Sequence, residues 1–209
     1  MRLSLCIVGC GRYARTVLNA VSDMTDEFRF FFASRDREKA ERYSQDFGGA
    51  GAFGSYEEAA ADPRVDALYF FTPHDLHLEN VQLAARYGKH ALVEKPIART
   101  VPEASSMVDV ARQAEIKLMV AENYRFLPAV DKAKKIMLQG LDGSAIGELR
   151  TIEMHLEGRR EPTEWRRNSD RSGGGSFIDA GIHLVDMMVN LGGFPDQVHA
   201  IQLPKVFTD

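Results

Sequence analysis

The feature that most restricts the fold is an alternation running through the first 120 residues, in which short apolar runs are each followed by a stretch with helical spacing. The runs are "LSLCIV" (3–8), "FRFFFA" (28–33), a brief "AF" (52–53), "DALYFF" (66–71), "ALVE" (91–94) and "IKLMVA" (116–121). Several are apolar throughout, the pattern of strands covered on both faces. Between the first two, "RYARTVLNAV" (12–21) sets Ala14, Val17, Leu18 and Val21 on one helical face. "DREKAERYSQDF" (36–47) is a second helix, closed by Gly48-Gly49. Ser55 with Glu58, and Thr100 with Glu103, have the spacing of capping boxes. Helical links between such strands imply parallel neighbours and right-handed crossovers. Residues 1–122 are therefore expected to form an α/β, doubly wound parallel sheet.

The remainder, 123–209, changes character. "FLPAVDKAKKIMLQG" (126–140) is an amphipathic helix, "GELRTIEMHLEGR" (147–159) alternates like a one-faced strand, and "QVHAIQLPKV" (197–206) reads as one further strand. Two strands make a poor independent unit. This part is expected to be the start of an incomplete, truncated α+β open-sheet domain. Its exposed edge would invite association into a homo-oligomer. A formal charge of −4 argues against nucleic acid as a partner. No apolar run is long enough for a membrane span. Cys6 and Cys10 lie too far apart on an extended segment to bridge, and two unpaired thiols fit the cytoplasm.

The first strand runs into Gly9-Cys10-Gly11-Arg12-Tyr13-Ala14, a G-x-G-x-x-A with a strand before it and a helix after it. Gly9 permits the tight turn, Gly11 lets backbone approach a pyrophosphate, and Ala14 lets the helix pack closely on the sheet. The helix's free N–H groups face the anion. This context predicts a dinucleotide site. An NAD site ordinarily ends its second strand with an acid for the ribose 2′-hydroxyl. Here Ser34 stands there, followed by Arg35 and, one turn on, Lys39. A hydroxyl, a guanidinium and an ammonium suit a 2′-phosphate, so NADP is the expected cofactor, with NAD as the alternative. Asp36 is read as a helix N-cap; were it the ribose acid, NAD would follow.

Several separated pieces carry a family resemblance: "GCGRYA", "FFTPHDLH" (70–77), "GKHALVEKPIA" (88–98), "AENYRFLPA" (121–129) and "EWRRNSDRSGGGSFIDAGIHLVD" (164–186). Together they resemble the Gfo/Idh/MocA family, that of glucose-fructose oxidoreductase and myo-inositol dehydrogenase, over nearly the whole chain. The resemblance implies a Rossmann domain followed by an open-faced sheet domain. It also implies hydride exchange with sugars, cyclitols or related alcohols, so a small polyol or sugar is the expected partner.

Carried over from that resemblance, Lys95 of "EKP" lies between substrate hydroxyl and nicotinamide ribose, its peptide to Pro96 often cis, with Glu94 beside the cofactor. Asp179 and His183, four apart, would share one face if helical. A carbinol losing hydride must also lose its hydroxyl proton, and imidazole ordinarily titrates near neutrality. His183 is thus the expected acid/base, Lys95 the stabiliser of the developing alkoxide, and Asp179 a group that binds a substrate hydroxyl or orients the imidazole. Gly173–Gly175 would leave room for ligand or adopt angles other residues avoid. Thr72, Pro73 and His77 match a nucleotide-lining loop in which His74 replaces the usual Asn. Asn123 matches the nicotinamide edge, and Trp165-Arg166 matches a pair that shapes the substrate end or packs between domains. His74, Asp75 and His77 do not make a convincing metal set. Two further readings stay open. One is a catalytically silent dinucleotide-binding sensor or interaction protein of this fold; the other is NAD-dependent glycoside cleavage, which also begins with hydride abstraction.

Overall fold

Each apolar run of the first half becomes a strand in the computed structural model, which describes residues 2–24, 26–140, 147, 149–158 and 164–201, with backbone alone at 138–140. The strands are β1 (Leu3–Val8), β2 (Phe28–Ala33), β3 (Ala52–Phe53), β4 (Ala67–Phe70), β5 (His90–Glu94) and β6 (Leu118–Ala121). They lie in the order β3-β2-β1-β4-β5-β6 with every pairing parallel. Successive strands build outward from β1 to β3, and the chain then crosses to β1's other side as β4. That reversal creates the crevice at the carboxyl ends of β1 and β4 where open α/β sheets bind ligands.

The connections are α1 (Arg12–Ala20), α2 (Arg37–Asp46), α3 (Tyr56–Ala61), α4 (His77–Arg86) and α5 (Val101–Gln113). Two hydrophobic clusters, one per sheet face, explain why the strands read as apolar throughout. Cys6, Val8, Phe31, Phe70 and Val93 fall in one; their strand neighbours Ile7, Phe32 and Tyr69 fall in the other with Ala14, Leu18 and Tyr43. Asp36 caps α2, accepting from the Lys39 amide at 3.1 Å. Ser55 and Thr100 cap α3 and α5 through the amides of Glu58 and Glu103. The returning half of each box lands one residue early: Glu58 accepts from Gly54 N–H and Glu103 from Arg99 N–H. Both cysteines are free and buried. Burial pushes the Cys6 thiol well up and raises Cys10 to about 11.

The chain divides into two units. The first comprises Met1–Glu122 together with Gly158–Ile182, the second Asn123–Glu157 together with His183–Asp209. Of the described residues beyond 122, those at 164–182 group with the sheet unit. There they supply a 3-10 turn (Glu164–Arg167), α7 (Ser169–Ser172) and a π-helical turn (Phe177–Gly181). In the second unit, α6 (Pro128–Gly140) is joined by most of α8 (Ile182–Gly192). Lys134 donates to Asn190 at 2.8 Å, and Arg125 grips Asp186 at 2.7 and 2.6 Å.

The strand expected over 147–159 does not form among the described residues of that stretch. Alternation supplies an apolar face, but a strand also needs a ladder partner. Of the strand expected at 197–206, the residues to 201 likewise form no strand and the rest lie outside the described residues. Among the described residues, no helix is long and apolar enough to cross a membrane. None of those residues group as a metal site.

Candidate active site of the sheet unit

At the end of β1 the chain turns at Gly9, whose φ of +98° lies in the region that favours glycine. A Cβ there would stand 3.0 Å from the Phe71 carbonyl oxygen, so the glycine also lets the β1 and β4 loops touch. Gly11 is the N-cap of α1 and has no side-chain cap; the first turn holds no acidic residue. A Cβ on Gly11 would meet nothing within 4 Å. Uncapped N–H groups facing open space, with Ala14 fully buried beneath, fit the pyrophosphate of a dinucleotide. Arg12 and Tyr13 are exposed on this first turn, and the Tyr13 ring leans on Phe71 at 6.1 Å. From α2, the Tyr43 hydroxyl donates to the Gly11 carbonyl at 3.0 Å.

Beyond β2, Ser34 is buried, its Oγ accepting from the Asp36 amide at 3.2 Å. Arg35 and Lys39 are exposed. Burial raises the Tyr56 hydroxyl pKa, and the positive charge of Arg35 opposes that rise.

The loops after β4 and β5 hold the next group. Thr72 is buried and its Oγ1 accepts from Asn80 Nδ2 at 2.7 Å. Pro73 leads into a 3-10 turn, His74–Leu76. His77 is fully buried; Nδ1 lies 3.0 and 3.1 Å from the Pro96 and Ile97 carbonyls and Nε2 lies 3.2 Å from that of Thr72. It ties the two loops together, and burial pushes its pKa down. Glu94 is also buried, accepting from the Tyr69 hydroxyl at 2.7 Å. Burial pushes both pKa values up. The Lys95-Pro96 peptide is cis.

Lys95 meets the returning segment. Its Nζ donates to the Asp179 carbonyl and lies 3.4 Å from Asp179 Oδ1, while Arg166 Nε lies 3.2 Å from Oδ2. Burial alone would raise the Asp179 carboxyl, but the two cations hold it below its ordinary range. Asp179 sits in the π-helical turn. Gly173 closes α7 at φ +85°, and a Cβ there would come within 2.8 Å of Arg99 Cβ. Arg99 also donates to the Asp170 carbonyl. His74 is buried and its Nδ1 lies 2.9 Å from the Ser172 carbonyl oxygen. That nitrogen therefore carries the proton. Burial lowers the His74 pKa to about 4, so the ring is neutral. Asp75 Oδ2 accepts from Arg171 Nε at 3.0 Å.

The second unit carries Asn123, exposed at the start of a 3-10 turn (Asn123–Phe126), and His183 near the start of α8. The His183 ring stacks on Tyr124, centroids 4.1 Å apart and planes 12° from parallel.

Residues 3–122 match the family model of an oxidoreductase family with an NAD-binding Rossmann fold, GFO_IDH_MocA. The chain belongs to this family. Residues 133–205 match the Gfo/Idh/MocA C-terminal domain. Trans-1,2-dihydrobenzene-1,2-diol dehydrogenase of Mus musculus is 32% identical over 209 residues, 96% of this chain and 60% of that protein. D-xylose 1-dehydrogenase (NADP(+)) 2 of Haloferax volcanii is 33% identical over 168 residues, 80% of this chain and 50% of that protein. Among solved structures, levoglucosan dehydrogenase in complex with NADH and levoglucosan superposes with a TM-score of 0.76 at 28% identity, over 92% of this chain and 54% of that one. Aldose-aldose oxidoreductase from Caulobacter crescentus, complexed with glycerol, gives 0.79 at 29% identity, over 92% and 58%. The chain spans about half to three-fifths of the length of these relatives.

Within this Gfo/Idh/MocA chain, the sheet unit thus brings Lys95, Asp179 and Arg166 together beside the β1 and β4 loops. Sequence reasoning missed four anchors, Tyr69, Asp75, Arg99 and Arg171. Each acts through a partner distant in sequence; Asp75 and Arg171 lie within stretches that carry the family resemblance, but nothing in their spacing marks them as partners.

Proposed function

We propose that the chain works as an NADP-dependent oxidoreductase that moves hydride between nicotinamide and a secondary alcohol or carbonyl of a sugar, cyclitol or cyclic diol. The observation that carries this reading is the Lys95–Asp179 pair at the carboxyl end of β5, in the sheet unit that bears the Gly9–Gly11 turn. The relatives' names, a diol, a xylose and a levoglucosan dehydrogenase, support the substrate class. The bound nicotinamide supplies the hydride acceptor or donor. Lys95 holds the substrate oxygen and stabilises its negative charge as the proton leaves. His183 takes that proton on oxidation and returns it on reduction. Asp179 keeps the ammonium in place. Ser34, Arg35 and Lys39 bind the 2′-phosphate, because Asp36 is spent on capping α2.

The test is formation of NADPH or NADH against a panel containing D-xylose, levoglucosan, inositols and cyclic diols. Lys95→Ala should lose about two to four orders of magnitude in kcat while still binding nucleotide. Titration of both nucleotides should show NADP binding more tightly, and Arg35→Ala should erase about one order of that preference. Tighter NAD binding by the wild type defeats the cofactor assignment. Nucleotide binding without turnover on any compound would instead support the silent, sensor-like reading.

A further inference from the structure

We infer that Arg166 is a positioning residue for Lys95, acting through Asp179 and itself mounted on Trp165 and His74; this rests on the dehydrogenase reading above. The Asp179 carboxylate is shared, with Oδ1 toward Lys95 Nζ at 3.4 Å and Oδ2 toward Arg166 Nε at 3.2 Å. A carboxylate held by one cation can swing about its last torsion; cations on opposite oxygens fix it. The sharing also sets the charge. Two cations and one carboxylate leave a net positive site, whereas a lone Lys95–Asp179 pair would be neutral. A developing alkoxide is stabilised by the former and hardly at all by the latter.

A long arginine side chain can hold a carboxylate in register only if something holds the arginine. The Arg166 guanidinium lies over the Trp165 ring, 4.4 Å from its centroid. Trp165 in turn meets the His74 ring edge-to-face, centroids 4.6 Å apart at 73°. His74 is fixed on its far side by donating Nδ1–H to the Ser172 carbonyl. Contacts therefore run unbroken from the buried loop after β4, through His74, Trp165, Arg166 and Asp179, to the Lys95 ammonium. A side chain placed this way serves the carboxylate first, not the substrate.

Two measurements on the intact chain test this. Steady-state kinetics of Arg166→Ala should show kcat falling about tenfold to a hundredfold with little change in KM for nucleotide. Arg166→Lys, which keeps the charge, should recover part of the loss, and Trp165→Ala combined with Arg166→Ala should add little to the single change. Independently of turnover, the rate of Lys95 acylation by a succinimidyl ester, followed by mass spectrometry, should differ from wild type by about two- to fivefold in Arg166→Ala and in Asp179→Asn. Lys89, bonded to the carbonyls of Asp62 and Val65, is the unchanged internal standard. The inference is overturned if Lys95 labels at the wild-type rate in Arg166→Ala. It also falls if that variant keeps kcat within about twofold and raises only the KM for the alcohol, the mark of a direct substrate contact. A wild type without turnover would sink the dehydrogenase reading alone, and the labelling rate would still decide the role of Arg166.

Discussion

The sheet unit and the second unit use similar proportions of apolar residues to different effect. In the first, each strand has at least one parallel neighbour and two cores divide its side chains by face. Buried polar groups there are bonded across long sequence distances, as in Tyr69 with Glu94 and His74 with Ser172. In the second, the strand-like segment 149–158 forms no strand among the described residues, and Phe194, Val198 and Ile201 are 90, 78 and 89% exposed. The lesson is that an apolar pattern stabilises only where the same chain supplies the surface that covers it.

The sharpest way to break this contrast is to truncate one side chain in each unit. Phe70→Ala, in the middle of the sheet, should lower the unfolding free energy by about 3–5 kcal/mol. Ile152→Ala, beside Gly192 in the second unit, should cost under about 1 kcal/mol. Equal costs in chemical denaturation would mean that the second unit is as well packed as the first.

A smaller effect probes the buried polar bonds. Tyr69→Phe leaves the Glu94 carboxylate without its hydroxyl donor and should destabilise by about 1.5–3 kcal/mol. A neutral result would remove Glu94 from the scaffold.

The last concerns pH. The His74 pKa falls from 6.5 to about 4 on folding. Between those values the unfolded ring binds a proton that the folded ring does not, so stability is lost as pH falls through 6.5 toward 4. Wild type should lose on the order of 2 kcal/mol between pH 7 and 5 from this residue. His74→Asn should show a shallower slope, with His77, pushed the same way by burial, contributing the rest. An identical slope in the variant would show that His74 is already charged in the folded protein.

Much of the first unit was legible because local and global signals agree there. Periodicity marked the strands, Asp36, Ser55 and Thr100 marked helix starts, and Gly9 and Gly11 marked the turn. The packing of 164–182 against the loops after β4 and β5 was not legible. It depends on pairs such as Arg171 with Asp75, 96 residues apart, which leave no periodic trace. Glu94 and His77 are expected beside the cofactor from the family resemblance; their bonds to Tyr69 and to the loop carbonyls are what sequence does not reveal. The phenol that engages Glu94 sits on the neighbouring strand, where sequence shows only a large apolar residue in a buried run. The strand expected at 147–159 shows the opposite failure: its alternation is real, but no partner strand is present among the described residues.

The two thiols bear on how such questions can be asked in solution. Cys6 and Cys10 are the chain's whole complement of cysteine. Both are shut inside the sheet unit and held in the unreactive protonated form. The native chain should therefore react slowly with maleimides and spin-label reagents. A single cysteine engineered at an exposed position in either unit would carry its dye or nitroxide alone, with no need to strip the natural sulfur atoms first.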